Sequence, residues 1–101
     1  MADSKVVIEW LKKADEDFGF ALSVVEESTF YAQICFHFHQ AAEKYLKAFI
    51  IANDFYTDTR YPVHWPTHYT KEEARKAKDA SKNIHDLVKQ SLKQFTSSSE
   101  H

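Results

Sequence analysis

The stretch "CFHFHQAAEKYLKAFI", Cys35 to Ile50, combines bulky aromatics, two histidines and a compact Gln-Ala-Ala-Glu-Lys group, with no glycine or proline to interrupt it. Extended back to Phe30 and on to Ala52, its apolar residues are Phe30, Tyr31, Ile34, Phe36, Phe38, Ala41, Ala42, Tyr45, Leu46, Phe49 and Ile50. They recur at helical steps yet occupy more than one face. A helix apolar that far round belongs at the centre of a bundle, covered on several sides. This element sets the fold class as all-α.

The flanking segments supply the covers. The chain has one glycine and two prolines, which leaves long stretches free of helix breakers. Upstream, from about Ser4 to Glu27, Ile8, Leu11, Phe18, Leu22 and Val25 form an apolar stripe broadened by Trp10, Ala14 and Ala21. Gly19 within that helix is expected to mark the close approach of another backbone, since glycine is otherwise unfavourable there. Downstream, "TKEE" places Thr70 as an N-cap with Glu73 three residues later, a capping box. The inner stripe that follows is Ala77, Ile84, Leu87 or Val88, Leu92 and Phe95, before the polar "TSSSEH".

Between the second and third helices lies "DFYTDTRYPVHWPTHY". Its two prolines prevent a continuous helix, while Phe55, Tyr56, Tyr61, Val63, Trp65 and Tyr69 make it too apolar for a free linker. It is expected to pack across the bundle. The architecture expected is a small antiparallel, up-down helical bundle of three to four helices, a single domain over residues 1–96 with a disordered tail at 97–101.

A chain of 101 residues suits one domain and can build a modest core without a disulfide or a metal. Its single cysteine, Cys35, sits in an apolar run and reads as a small buried hydrophobe in a reducing compartment. The N-terminal stretch has no apolar signal region, and no apolar run is long enough to cross a bilayer. The expectation is a soluble cytoplasmic protein without a membrane partner. A formal net charge of −2 points neither to nucleic acid nor to a membrane surface. Its distribution is uneven, however. Residues 1–29 carry three lysines against seven acids, and residues 70–101 carry seven Lys and Arg against five acids.

No arrangement of residues reads as catalytic. A chain with one glycine cannot build a glycine-rich phosphate loop. Cys35 has His39 one turn later, but Ile34, Phe36 and Phe38 argue for burial, which raises a thiol pKa. His37 and His39 are two apart and diverge on a helix, while His39 with Glu43 supplies only two ligands, so neither metal nor cofactor is expected. Glu43 with Lys47 and Gln40 with Lys44 are i,i+4 pairs worth about 0.3–0.5 kcal/mol on a helix surface, a structural role. His64 and His68 in the aromatic segment read as packing residues. The basic residues of the last helix are more suggestive. Lys71, Arg75, Lys78, Lys82, Lys89 and Lys93 fall along one helical face. Such a stripe is most simply a solvated face, and otherwise a contact for a phosphate-rich ligand or an acidic partner. Arg60 precedes Tyr61 and Pro62, which restrict the local backbone and suit a bidentate guanidinium contact to phosphate. The candidate contacts for a phosphate-rich ligand are Arg60, Arg75, Lys78, Lys82 and Lys89.

Four elements in order carry a family resemblance: Trp10, Ala14, Asp17, Phe18 and Ala21; "F-x3-QAAEK-x2-KA" from Phe36 to Ala48; "RYP" at Arg60 to Pro62; and "YTKEEA-x5-A-x3-I-x2-LV" from Tyr69 to Val88. Together they resemble the HEPN domain family. The resemblance implies a small antiparallel helical bundle and a homodimer. It also implies a minimal nucleotidyltransferase as partner in a toxin-antitoxin-like pair, and binding of nucleotide or RNA. Ribonuclease members use an arginine, four to six arbitrary residues and a histidine. Here Arg60 is followed by His64 after three residues and His68 after seven, and Arg75 by His85 after nine. The chain also lacks a helix that members usually carry before "RYP", and its "HDL" at His85 to Leu87 falls in the last helix, where it reads as coincidence.

The leading reading is therefore a non-catalytic, dimeric HEPN-type protein that binds a minimal nucleotidyltransferase and a nucleotide. It leans against an enzyme, with the ribonuclease toxin as the alternative. The dimer is expected through the second helix, because two or three helices cannot cover Phe36, Phe38, Tyr45 and Phe49.

Overall fold

A computed structural model describes residues 4–53 and 69–96 of the chain. It contains three long helices, α1 (Ser4–Val24), α2 (Tyr31–Ala52) and α3 (Lys71–Ser91), followed by a single turn, α4 (Lys93–Thr96). The all-α bundle expected from the helical periodicities is the fold observed.

Each boundary has a local cause. α1 ends where the backbone N–H groups of Glu27 and Ser28 return to the Val24 carbonyl at 3.2 and 2.9 Å. The Ser28 hydroxyl accepts the Phe30 N–H at 3.0 Å, which fixes the entry to α2. At the far end of α2, the Asn53 side-chain amide donates to the Phe49 carbonyl at 2.8 Å. α3 opens as the sequence indicates: Thr70 is extended, and its hydroxyl accepts the Glu73 N–H at 3.2 Å, satisfying a donor that the first turn would otherwise leave unpaired.

α2 is central and packs against both α1 and α3. The core takes Val7, Leu11, Ala14, Phe18, Ala21 and Val25 from the first segment and Ile34, Cys35, Phe38, Ala41, Tyr45 and Ala48 from α2. Ala74, Ala77, Ser81, Val88 and Leu92 complete it. Many of these are small, which lets the helix axes approach closely. Ser81 needs no outside partner, because its hydroxyl donates to the Lys78 carbonyl one turn back.

Helix direction follows from which residues meet. Asp17 contacts His37 and Asp15 contacts Tyr45, so α1 and α2 run antiparallel. Lys71 and Arg75, at the start of α3, reach Glu26 just after α1, whereas Lys89 near its end reaches Asp15. α1 thus runs against both of its long neighbours, while α2 and α3 point the same way.

Several details depart from the periodic reading. The α1 stripe is set by the alternating three- and four-residue steps of Val7, Leu11, Ala14, Phe18, Ala21 and Val25. Ile8 and Leu22 lie about 100° further round the helix, 40% and 42% exposed. Gly19 marks no close approach, for a Cβ added there would meet nothing within 4 Å. In α3 the inner residue is Val88, and Leu87 is 66% exposed. Phe38 and Tyr45, expected to need a second subunit, are fully covered within the chain, because α1 and α3 close over α2 from two sides. The aromatic segment 54–68 and the tail 97–101 lie outside the described residues. Among the described residues, no helix is long and apolar enough to cross a membrane.

Candidate functional site

Asp15 and Asp17 are two residues apart on α1, so their side chains point about 160° apart round the helix. Each organises a different side of the molecule. Asp15 accepts the Tyr45 hydroxyl at 2.5 Å and the Lys89 ammonium at 2.7 Å, tying α1 to α2 and α3 together. Burial and the adjacent carboxylate push the Tyr45 phenol well above its ordinary value of 10.0, so it remains a donor. Beside it, the His85 imidazole stacks on Phe18 with centroids 4.9 Å apart and meets the Tyr45 ring edge-on at 5.2 Å. The Nδ1 atom of His85 lies 2.8 Å from Asp86, and this hydrogen bond, with that of Lys82, holds the Asp86 carboxyl below its usual range.

The other side faces away from α3's pairing residues. Asp17 accepts the Lys44 ammonium at 2.5 Å on one oxygen and the His37 Nδ1–H at 3.1 Å on the other. Lys44 thus reaches across the hairpin, beyond the Gln40 that sequence spacing offers it. His37 in turn sits between two phenylalanine rings, edge-on to Phe20 at 4.8 Å and to Phe36 at 5.4 Å. A groove of about 300 Å³ opens beside it, walled by Phe20, Val24, Phe30 and Ile34, with Ser28, Gln33 and His37 as its polar members. The two rings that line this groove are largely in water, Phe30 72% and Phe20 51% exposed, and Phe36, on the far side of His37, is 46% exposed.

The basic residues singled out by sequence take three different places. Arg75 donates to Glu26 at 3.2 Å, Lys82 to Asp86 at 3.0 Å and Lys89 to Asp15 at 2.7 Å. Lys78 is half-buried, and its charge contributes to lowering the Glu26 carboxyl, an effect led by the Arg75 hydrogen bond. Arg60, with His64 and His68, lies outside the described residues. The stripe on α3 is therefore largely matched to carboxylates, two of which come from the acidic first segment. That pairing gives the charge asymmetry of the sequence a structural meaning.

Cys35 is buried, and both that burial and the Glu73 carboxylate push its thiol upward, away from the thiolate a nucleophile requires. Among the described residues, no three of His, Cys, Asp and Glu come close enough to hold a metal ion.

Residues 7–54, which span nearly all of α1 and the whole of α2, match the family model of the HEPN domain. This segment belongs to the HEPN family. The HEPN match thus covers the α1–α2 hairpin, the Asp17–His37–Lys44 cluster and the aromatic groove, and it ends before α3. No curated protein and no solved structure matches the chain.

Two features of the structure, one on the HEPN hairpin and one on α3, escaped the sequence reading. The groove joins Phe20 on α1 to Phe30 and His37 across the turn, and nothing in the local spacing of either helix announces that meeting. His85, by contrast, left a signal: it follows Ser81 by four residues and precedes Val88 by three, the step of the buried stripe.

Proposed function

We propose that this HEPN-type protein acts by association rather than catalysis, as a homodimer that docks a partner protein of the minimal nucleotidyltransferase class. The observation that carries the reading is the aromatic-rimmed groove on the HEPN hairpin, where Phe20 and Phe30 stand largely in water beside one small depression and exposed Phe36 packs edge-on against its His37. Clustered exposed aromatics are costly for a solitary soluble domain and usual at protein interfaces. The chain also lacks the Arg-x4–6-His spacing of the ribonuclease members, which favours docking over the alternative, a ribonuclease toxin.

Nucleotide binding is a second arm of the proposal, through Arg60, Arg75, Lys78, Lys82 and Lys89. An anionic ligand on α3 would compete with Glu26, Asp86 and Asp15 for three of these cations. Exposed ion pairs are individually weak, so a polyphosphate could displace them, with an affinity that falls steeply as salt rises.

The test is sedimentation velocity on the purified protein mixed with a minimal nucleotidyltransferase encoded beside it. A complex of fixed stoichiometry at micromolar concentration is expected. Independent sedimentation of the two proteins would overturn the partner assignment.

A further inference from the structure

We propose that the groove bounded by Phe20, Phe30 and His37 is a receptor for an arginine side chain presented by the docking partner, its guanidinium on the phenylalanine rings and its N–H groups directed at the polar atoms of the groove. The inference rests on the association reading above and names the chemistry of the occupant.

Charge selects a cation. All four charged residues within one turn of the groove's lining along the chain are acidic: Glu16, Asp17, Glu26 and Glu27. Two of them are matched from elsewhere in the fold. Asp17 holds Lys44, and Glu26 faces α3, where Lys71 and Arg75 reach it at 3.6 and 3.2 Å. Glu16 and Glu27 are exposed, and among the described residues neither has an ion-pair partner. Glu16 lies one turn before Phe20 on the same side of α1. Glu27 stands between the lining residues Val24 and Ser28, its N–H returned to the Val24 carbonyl. Lys13, two turns before Phe20, is placed over the Trp10 ring at 6.0 Å. The unmatched charge beside the groove is therefore negative, which attracts a basic segment and repels an acidic one.

The polar atoms select a donor. The Ser28 oxygen accepts the Phe30 N–H and keeps a second lone pair, and Gln33 brings an amide oxygen. The Nδ1–H of His37 is spent on Asp17, which leaves Nε2 as the acceptor of the neutral ring. No lysine or arginine lines the groove, so a carboxylate entering it would find no cation.

The rings select arginine over lysine. A phenylalanine face attracts a cation, and a planar guanidinium stacks on it while its peripheral N–H groups remain free to bond, which a lysine ammonium does not match. The recess of about 300 Å³ has Val24 and Ile34 as further apolar walls for the methylene stem. His37 keeps this site in shape. Clamped by Asp17 and edge-on to both Phe20 and Phe36, it fixes the Phe20 ring before any partner arrives, and such preorganisation limits the ordering cost of association.

The experiment is an amide NMR titration of the full chain at low salt with the peptide acetyl-Leu-Arg-Leu-amide and with the same peptide carrying lysine, glutamate or citrulline at its centre. Citrulline keeps the planar shape of arginine and removes its charge. The expected result is saturable shifts at Phe30, Gln33 and His37 with the arginine peptide, weaker binding of the lysine peptide, and binding at least about tenfold weaker with citrulline or glutamate. Glu16→Gln combined with Glu27→Gln should weaken the arginine peptide severalfold, and Phe30→Ser should weaken it further. Leu87→Ser, an exposed position on α3, should leave it unchanged. Far-UV circular dichroism establishes that each variant keeps its helices; should Phe30→Ser lose them, the glutamine pair carries the comparison. Equal binding of the citrulline and arginine peptides, shifts that map to α3, or no saturable shift at the groove would each overturn the arginine seat. A nucleotidyltransferase complex that forms undiminished with Phe30→Ser and with the glutamine pair would also overturn it and leave the association reading standing. Specific binding of the arginine peptide without any such complex would uphold the seat and overturn the partner class alone.

Discussion

The imidazole of His85 lies against the ring of Phe18 with centroids 4.9 Å apart and planes 17° from parallel. Phe18 also meets Phe38 and Tyr45 edge-on, at 6.0 and 6.2 Å. One side chain from α1 therefore joins two rings of α2 and one of α3. The Tyr45 hydroxyl continues from this junction to Asp15, which Lys89 holds from α3. The apolar core and the polar clamp meet at a single point, and the helices lose their common anchor if it is removed.

Replacing Phe18 by alanine should accordingly cost about 3–5 kcal/mol, the usual range for truncating a buried phenylalanine. Urea unfolding of Phe18→Ala, monitored by circular dichroism, measures it. A loss below about 1 kcal/mol would mean that the neighbouring helices collapse readily into the space.

Tyr45 predicts behaviour in alkali. Its phenol is raised above the ordinary 10.0 in the folded protein, so above that pH the unfolded chain gives up a proton that the folded chain retains. Stability should hold below pH 10 and fall as pH rises beyond it. Tyr45→Phe should lose about 1 kcal/mol at neutral pH, for the missing hydrogen bond, and show a shallower alkaline decline. Denaturant midpoints at a series of pH values separate the two. Parallel declines in parent and variant would count against the assignment.

At the start of α3, Thr70→Ala removes the acceptor of the Glu73 N–H and should destabilise the protein by about 1 kcal/mol. Thr70→Ser should restore most of that. A serine variant as weak as alanine would show that the hydroxyl is not the cause.

The fold was legible where periodicity was strong. Phe30 to Ala52 declared a central helix, and Thr70 with Glu73 declared the start of another, because both signals are local. The exact face of α1 was less so, since Val7 and Ile8, or Ala21 and Leu22, are adjacent apolar or small residues and only packing against α2 decides between them. Leu87 and Val88 posed the same ambiguity. Contacts between helices were beyond local reading: Lys44 finds Asp17 across 27 positions and Lys89 finds Asp15 across 74. The candidate site shows both cases. Arg75, Lys82 and Lys89 were legible as a stripe, but their pairing with carboxylates was not, and neither was the groove that joins Phe20 to Phe30.

Cys35 should be chemically silent. It is buried, and its thiol is raised by that burial and by Glu73. A disulfide reagent that assays free thiols should react slowly with the folded protein and at once after unfolding in guanidinium. Immediate reaction under native conditions would place the thiol at the surface.

The most direct test of a protein that works by association and not by cleavage is a single-turnover assay, in which an end-labelled single-stranded RNA is incubated with excess purified protein and resolved by length. The account predicts RNA of full length after prolonged incubation, with or without added divalent metal. Cleavage that copurifies with the protein and disappears in Arg60→Ala would contradict it and establish the ribonuclease reading instead.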